Sequence, residues 1–204
     1  MDNSLFPTKN NLILARKTLS LSKQGYELLD KKRNLLIREM MGLIEEAGNV
    51  QKDINKIFSE AYQVLRRANI TTGIETVRDM ADAVAIEDKV DIKFKSIMGV
   101  EIPVITAEKS DDMPQYGMFS SVSSLDEAHN KFKQVKYLII KLSEIENSVY
   151  RLAINIKKTQ KRANALKNNT IPRYEALVKH IQGVLEEKDR EEFTRLKVVK
   201  KNKG

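Results

Sequence analysis

The sequence predicts a mainly α fold: a long antiparallel two-helix coiled coil with a small α/β cap containing a β-hairpin. Three observations carry this. Stepping from Leu12 alternately by three and four residues meets Leu12, Ala15, Leu19, Ser22, Tyr26, Leu29, Arg33, Leu36, Met40, Leu43, Ala47, Val50, Ile54, Ile57, Ala61, Val64 and Ala68. Fifteen of these seventeen are apolar, where a hydrophobic content of 41% would give about seven. Such alternation over eight heptads is the seam of a left-handed supercoil. A second run from Ser124 repeats the pattern, and only 8 Gly and 4 Pro punctuate 204 residues of which 31% are charged. Few breakers and many charges suit long helices with solvated faces.

The elements follow in order. Thr8, after Pro7, is placed to cap the first helix, whose seam runs to about Asn69, roughly 90 Å at 1.5 Å per residue. Gly25, Gly42 and Gly48 interrupt its interior; close approach of another backbone is expected at Gly25, while Gly42 and Gly48 fit that reading or simple tolerance equally. Met40-Met41 fit the seam and read as core. The helix ends near Thr71-Thr72-Gly73, and Ile74 to Ile86 reads as a short helix. Val90, Ile92 and Phe94 then alternate with polar residues, and Val100 to Val104 follows Met98-Gly99, a hairpin with Pro103 on an edge strand. Lys109 to Ser124, with Asp111, Asp112, Pro114 and Gly117, reads as loop.

Ser124-Leu125-Asp126-Glu127 has the form of a capping box opening the second long helix. Its seam reads Ala128, Phe132, Val135, Ile139, Leu142, Ile145, Val149, Leu152, Ile156, Thr159, Ala163 and Leu166, with a stammer where two three-residue steps meet at Ile139, Leu142 and Ile145. Pro172 removes a donor and predicts a kink, beyond which Leu177, Ile181, Leu185, Phe193 and Leu196 continue a stripe. The chain thus divides into an N-terminal helix (1–70), a cap (71–123) and a C-terminal helix (124–204). Two seams of this length bury themselves only by folding back on each other.

Charge is distributed unevenly. Residues 1–35 carry seven Lys/Arg against three Asp/Glu, residues 151–204 fifteen against six, and the middle fourteen against nineteen. If the chain ends meet, they make a basic tip opposite an acidic cap. Lys9, Arg16 and Lys17 from the first helix, with Arg190, Arg195, Lys197 and Lys200 from the last, are its candidate partner-binding residues.

No reaction centre emerges. There is no Cys, so disulfide and thiolate chemistry are excluded and a reducing compartment is expected. His129 and His180 stand alone on helices, Asp111-Asp112 lacks the spacing of a calcium loop, and no phosphate-binding glycine motif occurs. No catalytic residue, metal ligand or cofactor site is therefore expected. Aromatics at 6%, no Trp and no recognisable motif argue against nucleic acid as partner. The longest aliphatic cluster, Leu138-Ile139-Ile140, falls far short of the ~20 residues of a membrane span. Nor does the N-terminus read as a signal peptide, so a soluble chain without direct membrane insertion is expected.

Both ends resemble the D subunit, the central rotor shaft, of the V/A-type rotary ATPases. The N-terminal pattern appears as Pro7-Thr8-Lys9, Leu12, Leu19, Gly25, Leu28-Leu29 and Lys32-Arg33. The C-terminal one appears as Arg162, Asn164-Ala165-Leu166, Ile171-Pro172, Leu185-Glu186-Glu187, Arg190-Glu191-Glu192, Arg195-Leu196-Lys197 and Lys200. Met98-Gly99-Val100 and Pro103 match more loosely, and Lys161, Ala163 and Lys167 depart from the family pattern.

The resemblance implies a non-catalytic shaft that transmits torque between a nucleotide-handling hexamer and an ion-translocating membrane ring. It implies that the paired termini insert among alternating A and B subunits, while the capped middle holds the small rotor component (the F subunit) and docks on the membrane-side collar. It places the protein at the cytoplasmic face of the membrane as a peripheral component. The chain stops soon after Lys203, without the extension typical of eukaryotic relatives, so the resemblance implies a bacterial or archaeal complex of prokaryotic type. Periodicity alone also fits a coiled-coil adaptor or chaperone-like protein of an export or cytoskeletal system.

Overall fold

A computed structural model of the protein describes residues 6–84, 90–107 and 123–202. In chain order these form α1 (Lys9–Thr72), α2 (Ile74–Asp82), β1 (Val90–Ile97), β2 (Val100–Ala107) and α3 (Ser123–Ala165). A π-helical turn (Leu166–Thr170) then leads into α4 (Ile171–Asn202). The fold is mainly α with one antiparallel hairpin, as the pattern predicts. Contacts divide it into two compact units: residues 1–35 with 156–204, and residues 36–155. The chain passes between them inside α1 and α3 rather than through loops.

Thr8 caps α1 as expected, its Oγ1 accepting the Asn11 N–H at 3.2 Å. At the other end Gly73 adopts φ 94°, a left-handed backbone that stops the helix and turns the chain into α2. All seventeen α1 seam positions are buried or half-buried. Arg33, one of the two polar exceptions, is satisfied where it lies: its guanidinium donates to Gln160 Oε1 at 2.7 Å and pairs with Asp30 at 2.7 Å. Met40 is half-buried in the seam, but Met41 is 57% exposed and does not belong to the core.

The first unit is a helix pair. Ala15, Ala163 and Ile181 are buried along it, with Ser22 and Thr159 as small polar fillers. Lys23 meets Glu175 at 2.7 Å, and Arg16 donates to Gln182 at 3.0 Å. Each step of seven along α1 is matched by seven in reverse along α4, which makes the pair antiparallel. A Cβ on Gly25 would meet Leu166 Cδ1 at 3.7 Å, an ordinary contact with a side chain, so the close backbone approach expected there is not present. Gly42 and Gly48 have nothing within 4 Å of such a Cβ. The interruption before Pro172 takes the form of the π-helical turn. Its wider ring is one way to accommodate a residue that donates no bond and crowds the preceding turn. Lys167 of that turn lies over the Tyr26 ring at 5.8 Å.

In the second unit Val50, Ile54 and Ile145 form a buried cluster joined by Leu43, Phe58, Leu138 and Leu142. Here the α3 register departs from the expected one. Leu138 packs inward while Ile139 is 45% exposed. With Leu138 in the seam and half-buried Lys131 beside Phe132, the steps 128, 131, 135, 138, 142, 145, 149 and 152 alternate by three and four without a stammer. Three consecutive aliphatics offer two registers, and only packing against α1 chooses between them. Phe132 meets Phe58 and Tyr62 edge-on at 6.1 and 5.5 Å.

Toward the cap, Ala68, Val77, Met80 and Leu125 close a second cluster in which α2 covers the end of α1 and the start of α3. The capping box is not formed as expected. α3 already includes Ser123, so Ser124 sits inside the first turn, with its hydroxyl buried and without a hydrogen-bond partner among the described residues. Leu125 next to it joins the cap cluster, and Ser124 itself is half-buried. The loop containing Asp111-Asp112, and the end of the expected Ile74–Ile86 helix beyond Val84, lie outside the described residues.

The hairpin closes through Met98 (φ 52°) and Gly99 (φ 75°). Two positive φ values across a two-residue loop match the right-handed twist of paired strands. Its β2 strand rests on α3: the Ile105 N–H donates to Glu144 Oε2 at 2.8 Å, and Arg151 donates to the Glu101 carbonyl at 3.2 Å.

Two ion pairs brace the second unit. Lys131 meets Glu60 at 2.6 Å and, by hydrogen bond and then by charge, holds the Glu60 carboxyl below its ordinary value. Glu46, at 2.8 Å, raises the Lys141 ammonium in the same two ways.

Two outcomes follow. Leu138→Ala should cost ~2–4 kcal/mol in urea unfolding, whereas Ile139→Ala should cost under ~1 kcal/mol; equal costs would restore the stammered register. A carboxyl with a lowered folded pKa stabilises above its unfolded value and loses that contribution as pH falls through the folded one. Glu60→Gln should therefore destabilise at neutral pH, and its difference from wild type should shrink as pH drops below about 4.5. A pH-independent difference would show that the pair contributes nothing.

Candidate interaction surfaces

The charge division seen in the sequence coincides with the two units. Residues 1–35 and 156–204 together hold 21 Lys/Arg against 9 Asp/Glu, and residues 36–155 hold 15 against 19. The N-terminal and C-terminal stretches share one basic unit.

Within it, the α1–α4 register places the seven candidate cations. Arg16 is opposite Gln182, so Lys9, one heptad earlier, falls opposite about Asp189. Arg190 is thus level with the first turn of α1. Arg195, Lys197 and Lys200 lie on the part of α4 that extends past it, and Arg16 and Lys17 sit lower on the pair. Among the described residues the tip is therefore one overhanging helix with a two-helix base, rather than one flush cluster of seven.

All seven cations are exposed. Arg190 reaches Glu187 at 3.6 Å and Arg195 reaches Glu191 at 3.8 Å, both along their own helix. Lys9, Lys17, Lys197 and Lys200 make no ion pair among the described residues. Periodicity gives no warning of the apolar surface on the overhang: Phe193, Leu196, Val198 and Val199 are 68%, 63%, 54% and 51% exposed. The sequence pattern carries the seam on through Phe193 and Leu196, but α1 has ended and nothing faces them among the described residues. Charge and apolar surface alternate there, a combination suited to a protein partner.

A second unmatched apolar set lies on α1, where Leu14, Leu21, Leu28 and Leu35 recur every seven residues outside the seam at 53%, 66%, 67% and 38% exposure. A third lies on β1, where Val90, Ile92 and Phe94 are 48%, 53% and 58% exposed.

No group of three or more His, Cys, Asp or Glu is gathered as for a metal among the described residues, and no described helix is long and apolar enough to cross a membrane. His180 is exposed and His129 half-buried on separate helices.

The model of the ATP synthase D subunit matches residues 11–201. The chain belongs to the family of ATP synthase D subunits. It is 43% identical to the D subunit of a V-type ATP synthase from Thermotoga neapolitana, over 97% of both chains. It is 36% identical to the D subunit of an A-type ATP synthase from Thermococcus kodakarensis, over 95% of this chain and 92% of the other, and 35% identical to that of Methanopyrus kandleri, over 95% and 84%. These relatives thus match nearly the full length, the overhang and the hairpin included.

Since nothing among the described residues covers Phe193 and Leu196, Phe193→Ala with Leu196→Ala should leave the unfolding free energy within ~0.5 kcal/mol of wild type. A loss above ~2 kcal/mol would show that they are covered in the free protein.

Proposed function

We propose that this chain is the central shaft of a V/A-type ATP synthase, a non-catalytic subunit that carries torque between the ATP-handling hexamer and the ion-translocating membrane ring. In this reading the basic unit, tipped by the α4 overhang, inserts among alternating A and B subunits. The segment 71–123 holds the small rotor component, the F subunit, and docks on the membrane-side collar. The complex sits at the cytoplasmic face of the membrane, with this chain as a peripheral part.

The observation that carries the reading is the closure of both chain ends into one basic antiparallel helix pair, in a chain whose relatives among the D subunits match it over nearly its whole length. A shaft must resist twisting, and a supercoiled pair with a continuous seam resists it far better than one helix. It must also pass equivalent subunits in turn, which favours exposed, screened charges over deep fixed pairs. The tip cations have that character.

Arg190, Arg195, Lys197, Lys200, Lys9, Arg16 and Lys17 are assigned to the hexamer contact. Exposed charges of this kind contribute ~0–1 kcal/mol each, so single alanine variants should change hexamer affinity little. Replacing Arg190, Arg195, Lys197 and Lys200 together should weaken binding and uncouple ATP hydrolysis from ion movement. The affinity of the wild type should fall with salt, because charges are screened beyond ~8 Å at physiological ionic strength. The decisive measurement titrates wild type and the quadruple variant against the purified hexamer and against duplex DNA at two salt concentrations. Tight, salt-sensitive DNA binding without hexamer binding would overturn the reading.

A further inference from the structure

The two edges of the hairpin are treated differently. On the outer edge of β2, α3 supplies partners: Glu144 takes the Ile105 N–H, and Arg151 donates to the Glu101 carbonyl. These contacts fix which groups point outward. Residues 101, 103, 105 and 107 of β2 direct their main-chain groups away from β1, which is why Pro103 costs the ladder no hydrogen bond. Their partners Ser96, Phe94, Ile92 and Val90 must likewise direct theirs away from β2. The two-residue loop closed by Ile97 and Val100 gives the same phase. No partner among the described residues meets this outer edge of β1, an eight-residue strand exposed along almost all its length.

Open edges of that length are commonly blunted by charge, bulges or proline. β1 has no proline and no bulge, and its charges lie on one face only, while the residues with outward main chain include three exposed apolar side chains, Val90, Ile92 and Phe94. Phe94 is held in place by the Arg151 guanidinium, 5.2 Å from its ring centre. The opposite face carries Asp91, Lys93 and Lys95. Lys93 is 3.6 Å from Asp91, and Lys95 makes no ion pair among the described residues.

We propose that β1 is a strand-addition site, receiving an extended segment of a partner subunit as the third strand of the hairpin sheet. The alternation along β1 specifies the chemistry of that segment. Residues beside Ile92 and Phe94 should be apolar or β-branched, and those beside Lys93 and Lys95 should be Asp or Glu, because directly opposed side chains share a face. The inference rests on the shaft reading, which supplies the partner: a component outside the hexamer, bound at the cap.

The test compares amide exchange in the free chain and in the assembled complex, together with two variants. Exchange at Ile92, Phe94 and Ser96 should be fast in the free chain and slowed at least ~10-fold on assembly. Ile92→Pro removes an outward donor and spares the bonds to β2, as Pro103 does on the other strand. It should weaken binding of the cap-side partner about tenfold and leave hexamer binding unchanged. Lys93→Glu with Lys95→Glu should weaken the same partner and leave the hairpin folded. Slow exchange in the free chain, a β1-to-β1 dimer in sedimentation, or unchanged partner affinity in both variants would overturn strand addition. If the wild type fails to bind the hexamer, it is the shaft reading that fails. Hexamer binding with β1 exchange still fast in the full complex refutes strand addition alone.

Discussion

A helix pair has no interior other than the line along which its members touch, so everything here depends on the three-four alternation of that seam. Where the seam is filled, the helices need no other core. Val50, Ile54 and Ile145 with their half-buried neighbours form a cross-section only one or two side chains deep. A narrow core cannot tolerate misregister, because a slip by one residue turns a whole apolar stripe into water. Long-range side-chain contacts such as Arg33 with Gln160 and Lys131 with Glu60 therefore matter more for alignment than for energy.

The seam also explains which surfaces are left for partners. A two-helix cross-section covers one stripe of each helix and leaves the rest to solvent, so apolar residues off the seam have no use inside the chain. Phe193 and Leu196 lie past the end of α1, Leu14 to Leu35 run along its uncovered flank, and Val90 to Phe94 occupy a strand edge that α3 does not reach. Each is a place where apolar surface remains uncovered among the described residues. A component built to be enclosed by others would carry such surfaces at several levels.

Charge acts on a different scale. The basic and acidic units are legible without any contact, since they depend only on how many Lys, Arg, Asp and Glu fall in each stretch. Among the described residues the tip cations that form ion pairs, Arg190 and Arg195, do so along one helix at 3.6 to 3.8 Å, and Arg16 reaches across only to the neutral Gln182. Their effect is a collective field rather than a set of bonds.

By itself the sequence determined the fold class, the α1 seam from Leu12 to Ala68, the Thr8 cap, the stop at Gly73, the hairpin around Met98-Gly99 and the family. These rest on local periods and on residues with few allowed conformations. The tertiary structure decided what periodicity leaves degenerate. It chose Leu138 over Ile139 in a run of three aliphatics, placed Met41 outside the core and put Ser124 inside its helix. It also gave the interruption before Pro172 its π-helical form, showed that α4 outruns its partner and revealed which edge of the hairpin is open. Each of those choices depends on which neighbour arrives from a distant part of the chain, and a one-dimensional pattern of side-chain types carries no record of that neighbour.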